Sequence, residues 1–159
     1  MVKVVGIDPG LAATGIAVIE GAQLSVSQYS YGCIQTSARL DVPVRLNRIY
    51  NQLVSFLKDQ APDFVVVEDV FSLERFPKSG IVLGKVTGII LLAGCQLNLE
   101  VKEIPVRSAK QILTGNGSAS KKQLAESVRH RLKHPDPIRP YHAADALALA
   151  MVGLFRHLQ

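Results

Sequence analysis

The sequence predicts an α/β fold: one mixed five-stranded sheet with helices on both faces. Three observations predict it: short β-branched runs at the start, a change to helical period after Pro43, and a later alternation of apolar strands with helices. Val2 to Ile7 is a β-branched run suited to a buried strand. Thr14 to Glu20 and Leu24 to Gln35 read as two more strands, with Gly21-Ala22 as the turn, so the first three form an antiparallel meander. From Val44 the period changes, and Leu46, Ile49, Tyr50, Leu53 and Leu57 recur at spacings of three and four. Pro43 opens this amphipathic helix and Pro62 closes the region after it. Phe64 to Val67 is continuously apolar, as a central strand covered on both faces must be. Ser79 to Leu97 reads as a helix that is apolar nearly all round, and Glu100 to Ile104 as a fifth strand. Helices then follow around Ser108 to Leu113, around Ser120 to Leu132, and from about Tyr141, the last two separated by the Pro-rich break His134 to Pro140.

Three hairpin strands followed by helix, strand, helix, strand and terminal helices is the layout of the ribonuclease H-like fold. At 159 residues, 48% hydrophobic and 19% charged, the chain suits one domain spanning 1–159. The Pro-rich break is too short to link two domains. The longest apolar stretch, Gly80 to Leu97, carries Lys85 near its middle, which would cost several kcal/mol in lipid, so no membrane span is expected. The N-terminus runs directly into a strand pattern without a basic leader. Cys33 and Cys95 lie far apart, outside any C-x-x-C spacing, and are expected as reduced core residues of a cytoplasmic protein.

The charge is unevenly spread. The chain carries +5 overall, yet Lys102 to Arg139 holds nine basic residues against three acidic ones, a net +6. A basic segment beside a slightly acidic body suits a phosphate-rich partner, because neutralised phosphates release counterions. Solvation of exposed helices explains the same charge equally well.

Three acidic residues sit where acids are costly. Asp8 follows directly on Val4-Val5-Gly6-Ile7, and Glu68 on Phe64-Val65-Val66-Val67. Asp145 lies on a helix otherwise built of Ala, Leu and Met, with His142 three residues earlier on the same face. Carboxylates aimed at one point need a cation, and hard divalent ions prefer oxygen ligands. Each residue also has a plainer reading. Asp8-Pro9-Gly10 suits a turn, Glu68-Asp69 a strand end reaching solvent, Asp145 an exposed helix face, and His142 a hydrogen-bonded surface histidine. Gly6 to Gly10 with Thr14-Gly15 is also a loop type that approaches phosphate. Actin-like phosphotransferases begin similarly but need two such domains.

With the residues laid out this way, the chain resembles the RuvC Holliday-junction resolvase family along nearly its whole length. The matching stretches are Gly6-Ile7-Asp8-Pro9-Gly10, Thr14-Gly15, Gly32-Cys33-Ile34, Arg45-Leu46 and Glu68-Asp69-Val70-Phe71. They continue with Lys110-Gln111, Gly115-Asn116-Gly117-Ser118-Ala119 and Ala143-Ala144-Asp145-Ala146-Leu147-Ala148. The resemblance implies a homodimer that binds four-way DNA junctions and nicks two strands symmetrically by divalent-metal-dependent phosphodiester hydrolysis. It implies two ions per subunit held by Asp8, Glu68, Asp145 and the fourth position, His142, where the family often has Asp. A nitrogen donor there favours Mn²⁺ over Mg²⁺, and His142 as a proton shuttle is the alternative. Lys110 and Lys121 match DNA-contacting positions. Phe71 matches an aromatic used against unpaired bases, and Arg75 and Lys78, on the loop that follows, are further candidates for phosphate contact. The branch-migration proteins RuvA and RuvB are implied partners.

The apolar helix from Ser79 supports the dimer independently. Gly84 and Gly88 form a smooth strip, and a helix apolar all round must be covered all round, by the sheet on one face and a symmetry mate on the other. Complete burial within one chain is the competing arrangement. A non-enzymatic junction-binding module is the remaining functional class, should the acidic residues fail to meet.

Overall fold

The two strands that end in the suspect acids lie side by side at the centre of the sheet. In the computed structural model, which describes residues 1–69 and 77–157, β1 (Val2–Asp8) pairs in parallel with β4 (Phe64–Glu68), Ile7 lying opposite Val67. On its other edge β1 pairs antiparallel with β2 (Ala13–Ala22), which pairs antiparallel with β3 (Ser25–Gln35). β5 (Glu100–Ile104) adds in parallel to β4, giving the order β3-β2-β1-β4-β5. The mixed five-stranded sheet is therefore as expected. The central strands carry the continuous apolar runs and the edge strands β3 and β5 the polar alternation, because only the centre is covered on both faces.

Period two along β1 and β4 sorts the core into two layers. Val5, Ile7, Val65 and Val67 face α1 (Val42–Gln60) and α2 (Pro77–Gln96). Val4, Phe64 and Val66 face the other layer, α3 (Val106–Thr114), α4 (Lys121–Leu132) and α5 (Tyr141–His157). Helix α5 lies across the middle of the sheet and is buried from Ala143 to Phe155. Glycine makes that approach possible. A Cβ on Gly6 would collide with the carbonyl oxygen of Ala146, and one on Gly15 with that of His142.

Several boundaries differ from the sequence expectation. The β2–β3 turn falls at Gln23-Leu24, not Gly21-Ala22. A register irregularity between Glu20 and Gly21 lets β2 run on to Ala22, and Gln23 takes the left-handed conformation at φ 55°. Pro77 opens α2, so Lys78 belongs to that helix and not to the preceding loop. Phe71 and Arg75 lie outside the described residues. Cys95 is exposed and Cys33 half-buried, so neither belongs to the core. Cys95 is exposed because α2 is covered on one side only. Val86, Ile90 and Ala93 are buried against the sheet, whereas Ile81 is 62% and Leu92 49% exposed. Complete burial of α2 within one chain is thereby ruled out. By length and composition alone α2 would also be able to cross a membrane, but its buried face belongs to the core of this domain.

Candidate active site

The alternation that builds the core also aims the acids. Gly6 faces α5, so Asp8, two residues on, faces the same way, beyond the last apolar residue of β1. Val66 belongs to the α5 layer, so Glu68 does too. Helix α5 brings Asp145 and His142 over these strand ends, and Asp8 and Asp145 are both buried. His142 Nδ1 stands 2.6 Å from Asp8 Oδ2. The edge of its ring sits over Gly10, where an added Cβ would lie 3.8 Å from His142 Cε1. The four residues singled out in the sequence are thus brought together at one end of the sheet.

The electrostatics of this cluster are unfavourable as they stand. Burial, then the charge of Asp8 and a shared hydrogen bond with it, then the charge of Asp145, push the Glu68 carboxyl up to about 8. Burial and Asp8 raise Asp145 to about 6, against the opposing pull of Lys121, His142 and Lys110. The hydrogen bond to Asp8 raises His142 above the ordinary histidine range, although burial acts against it. Lys121 Nζ reaches Asp145 Oδ2 at 3.7 Å, but that ammonium is mostly exposed and its effect is screened. Three crowded carboxylates, with Glu68 and Asp145 raised well above the ordinary carboxylate range, are suited to a hard divalent cation, so the donor set fits one. Among the described residues no three His, Cys, Asp or Glu side chains form a ready-made coordination shell. Asp8 is shared between Glu68 and His142, while Asp145 pairs with Lys121, so a cation would have to gather them.

The loop after Asp8 is held by side-chain bonds that local sequence patterns do not reveal. Thr14, fully buried, donates its hydroxyl to the Gly10 carbonyl at 2.7 Å. Thr36 donates its hydroxyl to the Leu11 carbonyl at 2.5 Å and accepts from Arg45 Nε at 2.8 Å. Arg45 belongs to one of the stretches that carried the resemblance, but nothing in helical periodicity signals a bond to a strand end. Lys110 ends up close enough to Asp145 to influence it, whereas Lys78 lies on α2 in the opposite layer.

A buried acidic cluster at the adjoining ends of β1 and β4, capped by a helix across a mixed sheet, defines the class of ribonuclease H-like, metal-dependent nucleases. The chain belongs to the RuvC family: the family described as Crossover junction endodeoxyribonuclease RuvC matches residues 4–153. A crossover junction endodeoxyribonuclease RuvC of Syntrophomonas wolfei is 39% identical over 152 residues, covering 96% of this chain and 88% of that one. The protein of the same name from Yersinia pestis is 38% identical, covering 95% and 86%. Thermus thermophilus RuvC, solved in complex with a Holliday junction substrate, superposes with a TM-score of 0.91 at 30% identity, covering 99% of this chain and 95% of that one. The yeast mitochondrial Holliday junction resolvase shares the fold alone, at a TM-score of 0.63 and 13% identity. This chain is accordingly a crossover junction endodeoxyribonuclease.

Proposed function

We propose that this protein resolves four-way DNA junctions by nicking two strands symmetrically, with Asp8, Glu68, Asp145 and His142 as its catalytic residues. The observation that carries this reading is the meeting of three carboxylates and one imidazole at adjoining strand ends, where burial and mutual charge raise the Glu68 and Asp145 carboxyls. Two divalent cations held there would supply Lewis-acid activation of water and stabilisation of the leaving oxygen. Asp8, Glu68 and Asp145 provide the oxygen donors. His142, turned by its Nδ1 contact with Asp8, keeps Nε2 for the site, either as a nitrogen donor that favours Mn²⁺ over Mg²⁺ or to accept the proton of the attacking water. Lys121 and Lys110, on the open side of Asp145, hold the scissile phosphate. The half-exposed face of α2 supports a homodimer, which two symmetric nicks require. Cytoplasmic location and partnership with RuvA and RuvB belong to the same reading.

The test is cleavage of a labelled synthetic four-way junction. Asp8→Asn, Glu68→Gln and Asp145→Asn should each lower cleavage by about a thousandfold or more while junction binding persists. Wild type should cut faster with Mn²⁺ than with Mg²⁺, and His142→Asp should narrow that gap. Near-normal cleavage by all three acid variants would refute the assignment of the site.

A further inference from the structure

Between Lys110 and Lys121 runs the turn Gly115–Ser120, and one side chain holds it at two points. Gln111 Nε2 donates to the Gly115 carbonyl at 3.0 Å, and Gln111 Oε1 accepts from the Gly117 N–H at 3.0 Å. The Gln111 carbonyl also accepts the Gly115 N–H at 3.0 Å, where Gly115 closes α3 in the left-handed conformation at φ 75°. Gly117 is pressed beneath the Arg107 stem: an added Cβ would lie 3.0 Å from Arg107 Cγ and 3.4 Å from Gln111 Oε1. The rest of the turn is fastened at its far end. Asn116 Oδ1 accepts from the Ser118 N–H, Ala119 is buried, and Ser120 caps α4 through a reciprocal pair of bonds with Gln123. The first residue after that cap is Lys121, whose ammonium faces Asp145.

We propose that Gln111 is a positioning residue for cleavage: its two-point clamp fixes the α3–α4 turn and thereby sets Lys121 over the carboxylate cluster. This rests on the reading of Lys121 as a working cation of the site. The amide meets both demands, since one end must donate to a carbonyl and the other accept from an N–H. A carboxylate at the same place keeps the bond to Gly117 but turns an oxygen toward the Gly115 carbonyl. A lysine on an unclamped turn still lends its charge to DNA binding but no longer stands at a fixed distance from Asp145. The loss therefore falls on the chemical step, where small misplacements are costly, and not on affinity.

The experiment is a double-mutant cycle on a synthetic four-way junction with Mn²⁺, combining Gln111→Ala and Gln111→Glu with Lys121→Ala. Single-turnover cleavage, junction affinity and thermal unfolding are measured for each protein. Gln111→Ala should slow single-turnover cleavage about tenfold, with junction affinity changed by less than about threefold and unfolding little altered. Gln111→Glu should fall between it and wild type. In the Lys121→Ala background, Gln111→Ala should cost less than about twofold more. If Lys121→Ala cleaves like wild type, the lysine reading fails and the clamp with it. If Lys121→Ala is impaired while Gln111→Ala is not, or if the two losses simply multiply, the clamp alone is overturned.

Discussion

Helices α2 and α5 are both long and apolar, yet they occupy opposite layers and opposite situations. The apolar surface of α5 is consumed inside the chain: it crosses the sheet so closely that Gly6 and Gly15 leave no room for a Cβ. The apolar surface of α2 is only half used, with Gly84 and Gly88 facing open space and Ile81 and Leu92 toward solvent. The difference shows how to read an apolar helix. Where everything around it is covered, a carboxylate such as Asp145 stands out, which is the ground for proposing it as catalytic. Where half is uncovered, as on α2, the exposed apolar strip is the ground for the homodimer proposed above.

The sharpest way to break this comparison is to place the same methyl group on each side of it. Gly6→Ala should force α5 off the sheet and cost about 3 kcal/mol or more, a fall of roughly 10 °C in Tm for a domain of this size. Gly84→Ala adds a methyl where the chain alone has space, and alanine favours a helix over glycine by about 1 kcal/mol. A protein kept dilute enough to be monomeric should therefore unfold no earlier with that change. Calorimetry on both variants checks the contrast.

A smaller effect tests whether α2 is the proposed dimer surface. The pair Ile81→Glu and Leu92→Glu should leave the fold intact, since both side chains are already substantially exposed. The same pair should abolish self-association in sedimentation experiments and lower symmetric double nicking relative to single nicking. An unchanged oligomeric state would mean that α2 is not the dimer surface.

The strand-end acids were legible as candidates because an abrupt charge after an apolar run is costly, although a turn at Asp8 or a strand end reaching solvent at Glu68 explained each one singly. That Asp8 and Glu68 end neighbouring strands follows from the fold's layout, and Asp145 and His142 share a helix face by their spacing of three. That both strand-end acids face α5 needed the register of β1 and β4. What escaped notice depends on contacts that local patterns do not carry. The Thr36 bridge between Arg45 and the Leu11 carbonyl joins a strand end, a loop and a helix. Gln111 looks like an ordinary polar position of α3 until its clamp on Gly115 and Gly117 is seen. Gly21 misled because glycine marks turns, whereas here it sits inside β2, beside a register irregularity and too close to the Ser25 carbonyl for any side chain. Cys95 was expected in the core because an apolar helix resembles a buried one until the coverage of its outer face is known.

The account's central claim is that the α5 end of the sheet is a cation site, and linkage of stability to pH tests it most directly. Glu68 and Asp145 bind protons more tightly in the folded chain than the ordinary carboxylate value of roughly 4 allows when unfolded. Protonation therefore favours folding, and the metal-free protein should lose stability as pH rises from about 4 through about 6 and about 8. His142 acts in the same direction, because its folded value is raised and its stabilising proton is lost as pH climbs past it. A divalent cation at the proposed site would take the protons' place, so Mn²⁺ should raise Tm strongly at pH 8.5 and only slightly at pH 5. Glu68→Gln should be less sensitive to pH without metal and respond less to Mn²⁺. A wild-type Tm that Mn²⁺ leaves unmoved at pH 8.5, or moves equally at both pH values and in Glu68→Gln, would contradict the claim.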